Sequence, residues 1–300
     1  MRSVIRFGVL ALSTMTASAT ATAQQPTGTG DAPAIVVTGN RDVETQVRQF
    51  VTAMTPAPQR GNIPLLESDV CPMAIGFVPR QKAAIERRLR AVALAAGWRV
   101  LGEGCVPNVV FIATENKERF ISSLWRNHPS YFGPLMSASE ISRLIRAPGP
   151  TAAWRAEQFL TAGGTAYVTP DSEDPSFSFN QMNARASRIT TGTRRAVGAA
   201  ILVAEQGALA GLTTTQLADY AAMRLFARTD PASVPPGVST ILAVVDAPPE
   251  SEIPVTLTQW DLSFLRALKA APTSLFSAAQ RGEIARRMAR DLTSTPTARE

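Results

Sequence analysis

Apolar positions at residues 79–97 recur at helical spacing. Ile85, Leu89, Val92 and Ala96 fall on one side, while Arg87, Arg88 and Arg90 fall on the other. Pro79 suits the first helical position and Gly97 the residue just past the end. On either side the period shortens. Residues 70–78 read as a strand carrying Cys71 and Pro72, residues 98–101 resume strand character, Gly102 to Gly104 form a turn, and residues 106–113 are a strongly apolar strand. Pro72 places its strand at an edge or at a strand start, because proline donates nothing to a ladder. Strand, helix and strand in that order predict a βαβ or split βαβ unit.

The remaining pattern adds helices and two apolar runs. Val43, Val47, Phe50, Val51 and Met54 predict a helix over 42–54, ended by Pro56 and Pro58. Phe120, Ile121, Leu124 and Trp125 predict one over 115–127, stopped by His128 and Pro129. Ser137 with Glu140 is a capping box opening a short helix through Arg146. Pro148, Gly149 and Pro150 break the chain, and 152–160 reads as helix or strand. Residues 194–206 suit a buried strand and 241–246 a short apolar one. Thr213 with Gln216, Thr258 with Asp261 and Ser277 with Gln280 each mark the start of a further helix. The pattern predicts an α+β fold: a strand-helix-strand core followed by further strands and several amphipathic helices. It divides into a subdomain at 42–170, a mixed to helical one at 171–292 with the acidic loop of Asp171, Glu173 and Asp174 at the boundary, and a fraying tail at 293–300.

The N-terminus changes the meaning of the cysteines. Arg2 and Arg6 precede an apolar run that fades into small residues ending Ala21, Thr22, Ala23, the pattern of a signal peptide (1–23) cleaved between Ala23 and Gln24. The run is too short to span a bilayer, and no later run is long enough, so no membrane span follows signal removal. Export predicts a periplasmic or secreted protein. In an oxidising compartment the two cysteines, Cys71 and Cys105, read as a disulfide, the alternative being two buried free thiols. Their loop would stabilise the fold by about 3 to 4 kcal/mol. Net charge falls from +6 to +4 with the loss of Arg2 and Arg6, and the arginines are interleaved with acids, a solvated surface and not a nucleic-acid footprint.

Residues 24–41 form a Thr/Gly/Pro-rich leader ending in Ile35, Val36, Val37, Thr38, Gly39, Asn40 and Arg41. This short segment resembles the stretch near the mature N-terminus of TonB-dependent outer-membrane receptors that the energising protein captures. The resemblance implies an envelope partner engaged by strand addition. More broadly, the pieces around Cys71, Gly104 to Asn108, Gly211 and Leu212, Gln216 to Met223, and Leu257 to Leu268 resemble an uncharacterised family of exported proteins of Gram-negative proteobacteria. That likeness implies a compartment and class without an activity. The strand-helix start and the Asp261 helix are also loosely similar to exported zincin-like metalloproteases. The helix that would carry H-E-x-x-H has no histidine, so this resemblance implies a relative lacking metal ligands.

The chemistry is narrowed by what the chain holds. With His128 as its one histidine, it has no two- or three-histidine zinc site, and no metal or cofactor is expected. His128 as the base of a triad would stand at a helix end, and no G-x-S-x-G surrounds a serine. Lys82, Lys117 and Lys269 lack the serine of an S-x-x-K pair. The carboxylates Glu115, Glu118, Asp219 and Asp261 remain as candidates for acid-base work, each with a helix-start or packing explanation beside it. Two functions stay open: a non-enzymatic binding protein of the envelope, the leading one, and a secreted hydrolase using carboxylates or His128.

Overall fold

The computed structural model describes residues 40–56, 61–161, 164, 193–245, 247 and 252–294. In chain order the elements are α1 (Asn40–Met54), β1 (Leu65–Leu66), β2 (Pro72–Ile75), α2 (Pro79–Ala95), β3 (Val109–Thr114), α3 (Lys117–Asn127), α4 (Ala138–Ile145), β4 (Thr151–Thr161), β5 (Thr193–Glu205), α5 (Gln206–Leu209), α6 (Thr214–Phe226), α7 (Gln259–Lys269) and α8 (Ser277–Ser294). The fold is mixed α/β, and strand, helix and strand at its start are indeed stapled by a Cys71–Cys105 disulfide.

One five-stranded sheet organises these elements. The long β5 is central: β4 runs antiparallel along one edge, while β3 and the short β1 pair with the other in parallel, and β2 lies parallel outside β3. Because side chains alternate across a strand, β5 supplies both faces. Val197, Ala200, Leu202 and Ala204 join the larger core with α1, α2, α6, α7 and α8. Ile201 and Val203 join a smaller core beneath α3 and α4, where Phe132 stacks on Trp154 at 5.1 Å and Trp125 meets Phe132 edge-on. Residues on both sides of the 170/171 division thus contribute to one sheet, β4 from before it and β5 from after.

β2 closes one edge of the sheet. Pro72 starts it, as its missing N–H requires, and the Ala74 N–H donates to Glu86 of α2 at 2.9 Å. A short strand so covered is a poor template for further pairing. After β2 the chain turns at Gly76, with φ of +83°; a Cβ there would lie 2.1 Å from the Ala113 carbonyl oxygen, so β2 and β3 approach this closely only around glycine.

Helix boundaries follow the sequence signals. Pro79 opens α2 and Gly97, at φ +95°, follows its cap. The capping boxes at Ser137/Glu140, Thr213/Gln216 and Thr258/Asp261 are all formed, and 152–160 resolves as strand β4.

Three expectations need correction. Residues 98–101 form no strand, only a bridge from Val100 to Val70. Their apolar character serves the core instead: the Trp98 indole stacks on Phe226 at 5.0 Å and donates to the Leu66 carbonyl. The run at 241–246 begins with a 3-10 turn, Ile241–Val244, because Thr240 caps it and Asp261 takes the Ile241 N–H. Gln280 does not cap α8 with Ser277; its side chain accepts the Ile63 N–H at 2.6 Å.

Candidate functional site

The disulfide predicted from Cys71 and Cys105 is formed, with Cα atoms 6.0 Å apart, and no free cysteine remains. Asn108 holds this corner: its side-chain oxygen accepts the Cys71 N–H at 2.8 Å, and its amide donates to Ser68 Oγ and the Asp69 carbonyl. Cys71 is buried, whereas Cys105 is partly exposed beside the Arg90 guanidinium, 4.0 Å from its sulfur.

The polar residues singled out on helices turn out to work inside the fold. Asp219, fully buried, takes a two-pronged contact from Arg88 (Nε at 2.7 Å, Nη2 at 2.9 Å), with Thr256 Oγ1 and the Leu257 N–H adding further hydrogen bonds. The hydrogen bonds that Arg88 donates to Asp219 raise its pKa against the opposing effect of burial. This clasp joins α2, α6 and the segment leading into α7. Asp261, also fully buried, accepts from Thr240 Oγ1, the Ile241 N–H and both donors of Thr258. Burial nonetheless pushes its carboxyl above the usual range, these hydrogen bonds opposing the shift.

Lys117 is buried, with Nζ donating to the carbonyls of Ala147 and Gly149 at 2.5 and 2.7 Å. Glu115 and Glu118 are exposed; Asn116 caps α3, so Glu115 precedes the helix and Glu118 lies in its first turn. His128 is exposed at the end of α3, its ring edge-on to Tyr131. The structure does not bring these carboxylates and His128 together. The signal peptide expected at residues 1–23 with its expected Ala23/Gln24 junction, Ile35 to Gly39, and Asp171, Glu173 and Asp174 lie outside the described residues. Among the described residues no group of three or more His, Cys, Asp or Glu is placed to hold a metal ion, and no helix is long and apolar enough to cross a membrane.

The polar cluster without such a settled structural role lies where β4 meets the end of α6. In β4, Ala152 and Trp154 face the smaller core, so Ala153 and Arg155 face α6. Arg155 Nη2 reaches the carbonyls of Arg224 and Leu225 at 3.3 and 3.4 Å, at the end of the helix where carbonyls lack helical partners. Glu157 follows across an irregularity in register at Ala156/Glu157. Arg195 of β5 forms an ion pair with Glu157, Nη2 lying 2.7 Å from Oε2.

Arg224, only 9% exposed, lies over the Tyr220 ring at 5.8 Å and donates Nη1 to the Tyr220 hydroxyl at 3.0 Å. Its Nε is buried without a hydrogen-bond partner, as are Arg195 Nε and Glu157 Oε2. Burial lowers the Arg155 pKa to about 9, with Glu157 working against the shift and Arg228 and Arg224 reinforcing it. Arg155 stays charged at neutral pH. Arg155 thus feels Glu157, the exposed Arg228 and Arg224, while Arg195 is paired with Glu157 and acts on Glu140.

Sequence reasoning missed this cluster because 152–160 was open between helix and strand. Read as a strand, the alternation of Ala152 and Trp154 with Ala153 and Arg155 is a usable signal: a charge on the face away from the smaller core in an otherwise apolar run. No family model, curated protein or solved structure matches this chain.

Proposed function

We propose that this chain is an exported, non-enzymatic binding protein of the Gram-negative envelope, periplasmic or secreted, and that Ile35, Val36, Val37, Thr38 and Gly39 engage an envelope partner. The observation that carries the reading is the Cys71–Cys105 disulfide, which suits an oxidising compartment and staples the first strand-helix-strand unit. The use of Asp219, Asp261 and Lys117 inside the fold supports binding over catalysis, since their hydrogen-bonding capacity serves to join elements. The β-branched tip of the leader supports strand addition to a partner's sheet edge.

The test is to express the full chain in a Gram-negative host and compare it with a form lacking residues 35–41. The mature N-terminus should be Gln24, in the periplasmic or secreted fraction. The intact chain should retain an envelope protein on pull-down, with TonB the first to be probed, that the shortened form loses. An identical set of retained proteins for the two forms sinks the leader as the binding element.

A further inference from the structure

β4 is a sheet edge of a different kind from β2. Where β2 has 4 residues, starts with proline and gives the Ala74 N–H to Glu86, β4 runs for 11 residues without a proline or a lysine and pairs only with β5. The backbone groups it turns outward follow from β5. The Ala200 N–H donates to the Asn108 carbonyl, on the β3 side, so Arg155 in register with Ala200 points its own N–H and C=O away from β5. Both backbone groups of Arg195 engage Asn62, again on the far side, so its register partner Phe159 also points outward. The residue skipped in the register, between Ala156↔Ala199 and Glu157↔Val197, is Gly198 of β5. β4 itself therefore alternates unbroken, and Ala153 and Glu157 turn outward with Arg155 and Phe159. Among the described residues none of these outward groups has a backbone partner. A free edge of this length is a template for another strand.

The residues of β4 decide which strand fits. Read antiparallel to itself about Ala156, β4 sets Arg155 opposite Glu157, Ala153 opposite Phe159 and Ala152 opposite Leu160, so unlike charges meet and small residues meet large ones. The neighbouring registers that still join the outward groups oppose Arg155 to itself or Glu157 to itself, and like charges directly opposite repel. We propose that β4 of two copies pairs antiparallel across a two-fold axis at Ala156, joining their five-stranded sheets into one and making the chain a dimer. A two-fold interface must be complementary to itself, and this register meets that condition at each of these positions. Phe159, 38% exposed, gains cover over Ala153 of the second copy. Arg155, which has the charges of Arg228 and Arg224 beside it and one carboxylate, Glu157, gains the second copy's carboxylate. The inference concerns the folded body and does not depend on the role proposed for the leader.

The experiment is sedimentation and light scattering of the full mature chain over a range of concentrations. A mass twice that of the monomer should form and dissociate on dilution, with a dissociation constant of about 1 to 100 μM, as suits a small interface. Phe159→Pro removes an outward N–H without removing a bond to β5, a placement that edge strands tolerate. It should weaken the dimer by about 10-fold or more while far-UV circular dichroism stays unchanged.

The register is tested by charge reversal. Arg155→Glu and Glu157→Arg each oppose like charges when alone and should each weaken the dimer by about 10-fold or more. Mixed in equal amounts, the two variants oppose unlike charges at both positions and should recover a mixed dimer. Because Arg155 also contacts α6 and Glu157 pairs with Arg195, Phe159→Pro decides alone if a charge variant does not fold. A native chain that stays monomeric up to about 1 mM overturns the proposal, as does a dimer equally strong in Phe159→Pro, or folded charge variants that associate no better mixed than apart. A monomeric native chain that dimerises once residues 35–41 are removed assigns the edge to the leader, and overturns it too.

Discussion

The two halves of α6 carry buried arginine chemistry of opposite kinds. In its first half, Asp219 has an arginine on both oxygens, a hydroxyl and a backbone N–H, the arginine from α2 and the other two from adjacent residues before α7. At its end, Arg224 satisfies Nη1 on a hydroxyl and leaves Nε bare, with a second unmet guanidinium Nε at Arg195. Burial of charge is expensive in both places. The first arrangement recovers that cost through geometry and so acts as a structural clasp. The second leaves Nε donors unmet, so the same kind of buried charge is less fully offset there.

Removing Asp219 should have the largest effect. Asp219→Ala leaves the Leu257 N–H without an acceptor and Arg88 with only the Thr256 hydroxyl and water, and should cost about 3 kcal/mol in urea unfolding. The paired replacement Arg88→Met with Asp219→Leu should recover much of that loss, because it deletes both charges together. If the single and double variants are equally unstable, packing and not the ion pair accounts for the clasp.

The disulfide fixes the β2–β3 side of the unit whose helix the clasp holds. With 34 residues separating the cysteines, Cys71→Ala with Cys105→Ala should cost about 3 to 4 kcal/mol by the loss of loop constraint in the unfolded chain. Urea midpoints with and without reductant check this, and the double variant should be insensitive to reductant. Combined with Asp219→Ala, the losses should exceed the sum if the two fastenings share α2, and simply add if they act independently.

The clasp and the cluster were unequally legible in the sequence. Ser137, Thr213 and Thr258 announced their helices because capping is local: donor and acceptor lie three residues apart. The strand-helix-strand start was legible for a similar reason, with Pro79 and Gly97 marking the ends of α2. Arg88 and Asp219 are 131 residues apart, and Arg88 reads from periodicity as a water-facing residue beside Arg87 and Arg90. Only the approach of α6 turns it into the half-buried partner of a fully buried carboxylate. The run at 241–246 misled because apolarity signals burial without specifying backbone, and the Asp261 carboxylate selects a helical turn there. Trp98 misled in the same way, buried by stacking and not by strand pairing.

At the other end of α6 the expected cost is smaller. Arg224→Met removes a charge whose desolvation is incompletely offset, keeps apolar contact with Tyr220, and leaves the Tyr220 hydroxyl with Thr151 at 3.0 Å. Its loss in urea unfolding should be about 1 kcal/mol or less. A loss as large as that of Asp219→Ala would make Arg224 a second clasp and erase the contrast.

Asp261 gives the finest version of the comparison, because it is as buried as Asp219 but takes all its described hydrogen bonds from uncharged donors. Its carboxyl is raised by burial, so the folded chain holds the Asp261 proton to higher pH than the unfolded chain does. The contribution of this group is therefore most favourable below the unfolded value of about 3.9 and declines as pH rises toward the folded value, with no further change above it. Glu140, lowered by its hydrogen bonds to Ser137, works in the opposite direction, losing stability as pH falls through its folded value. The measurement is thus the difference in urea midpoint between the native chain and Asp261→Asn across pH 3.5 to 7, a window set by those carboxylate values. Asn removes the titration, and the gap between the two proteins should narrow as pH rises because the native carboxylate loses ground. A gap that widens would mean that the neutral donors around Asp261 stabilise its charge as effectively as Arg88 stabilises Asp219.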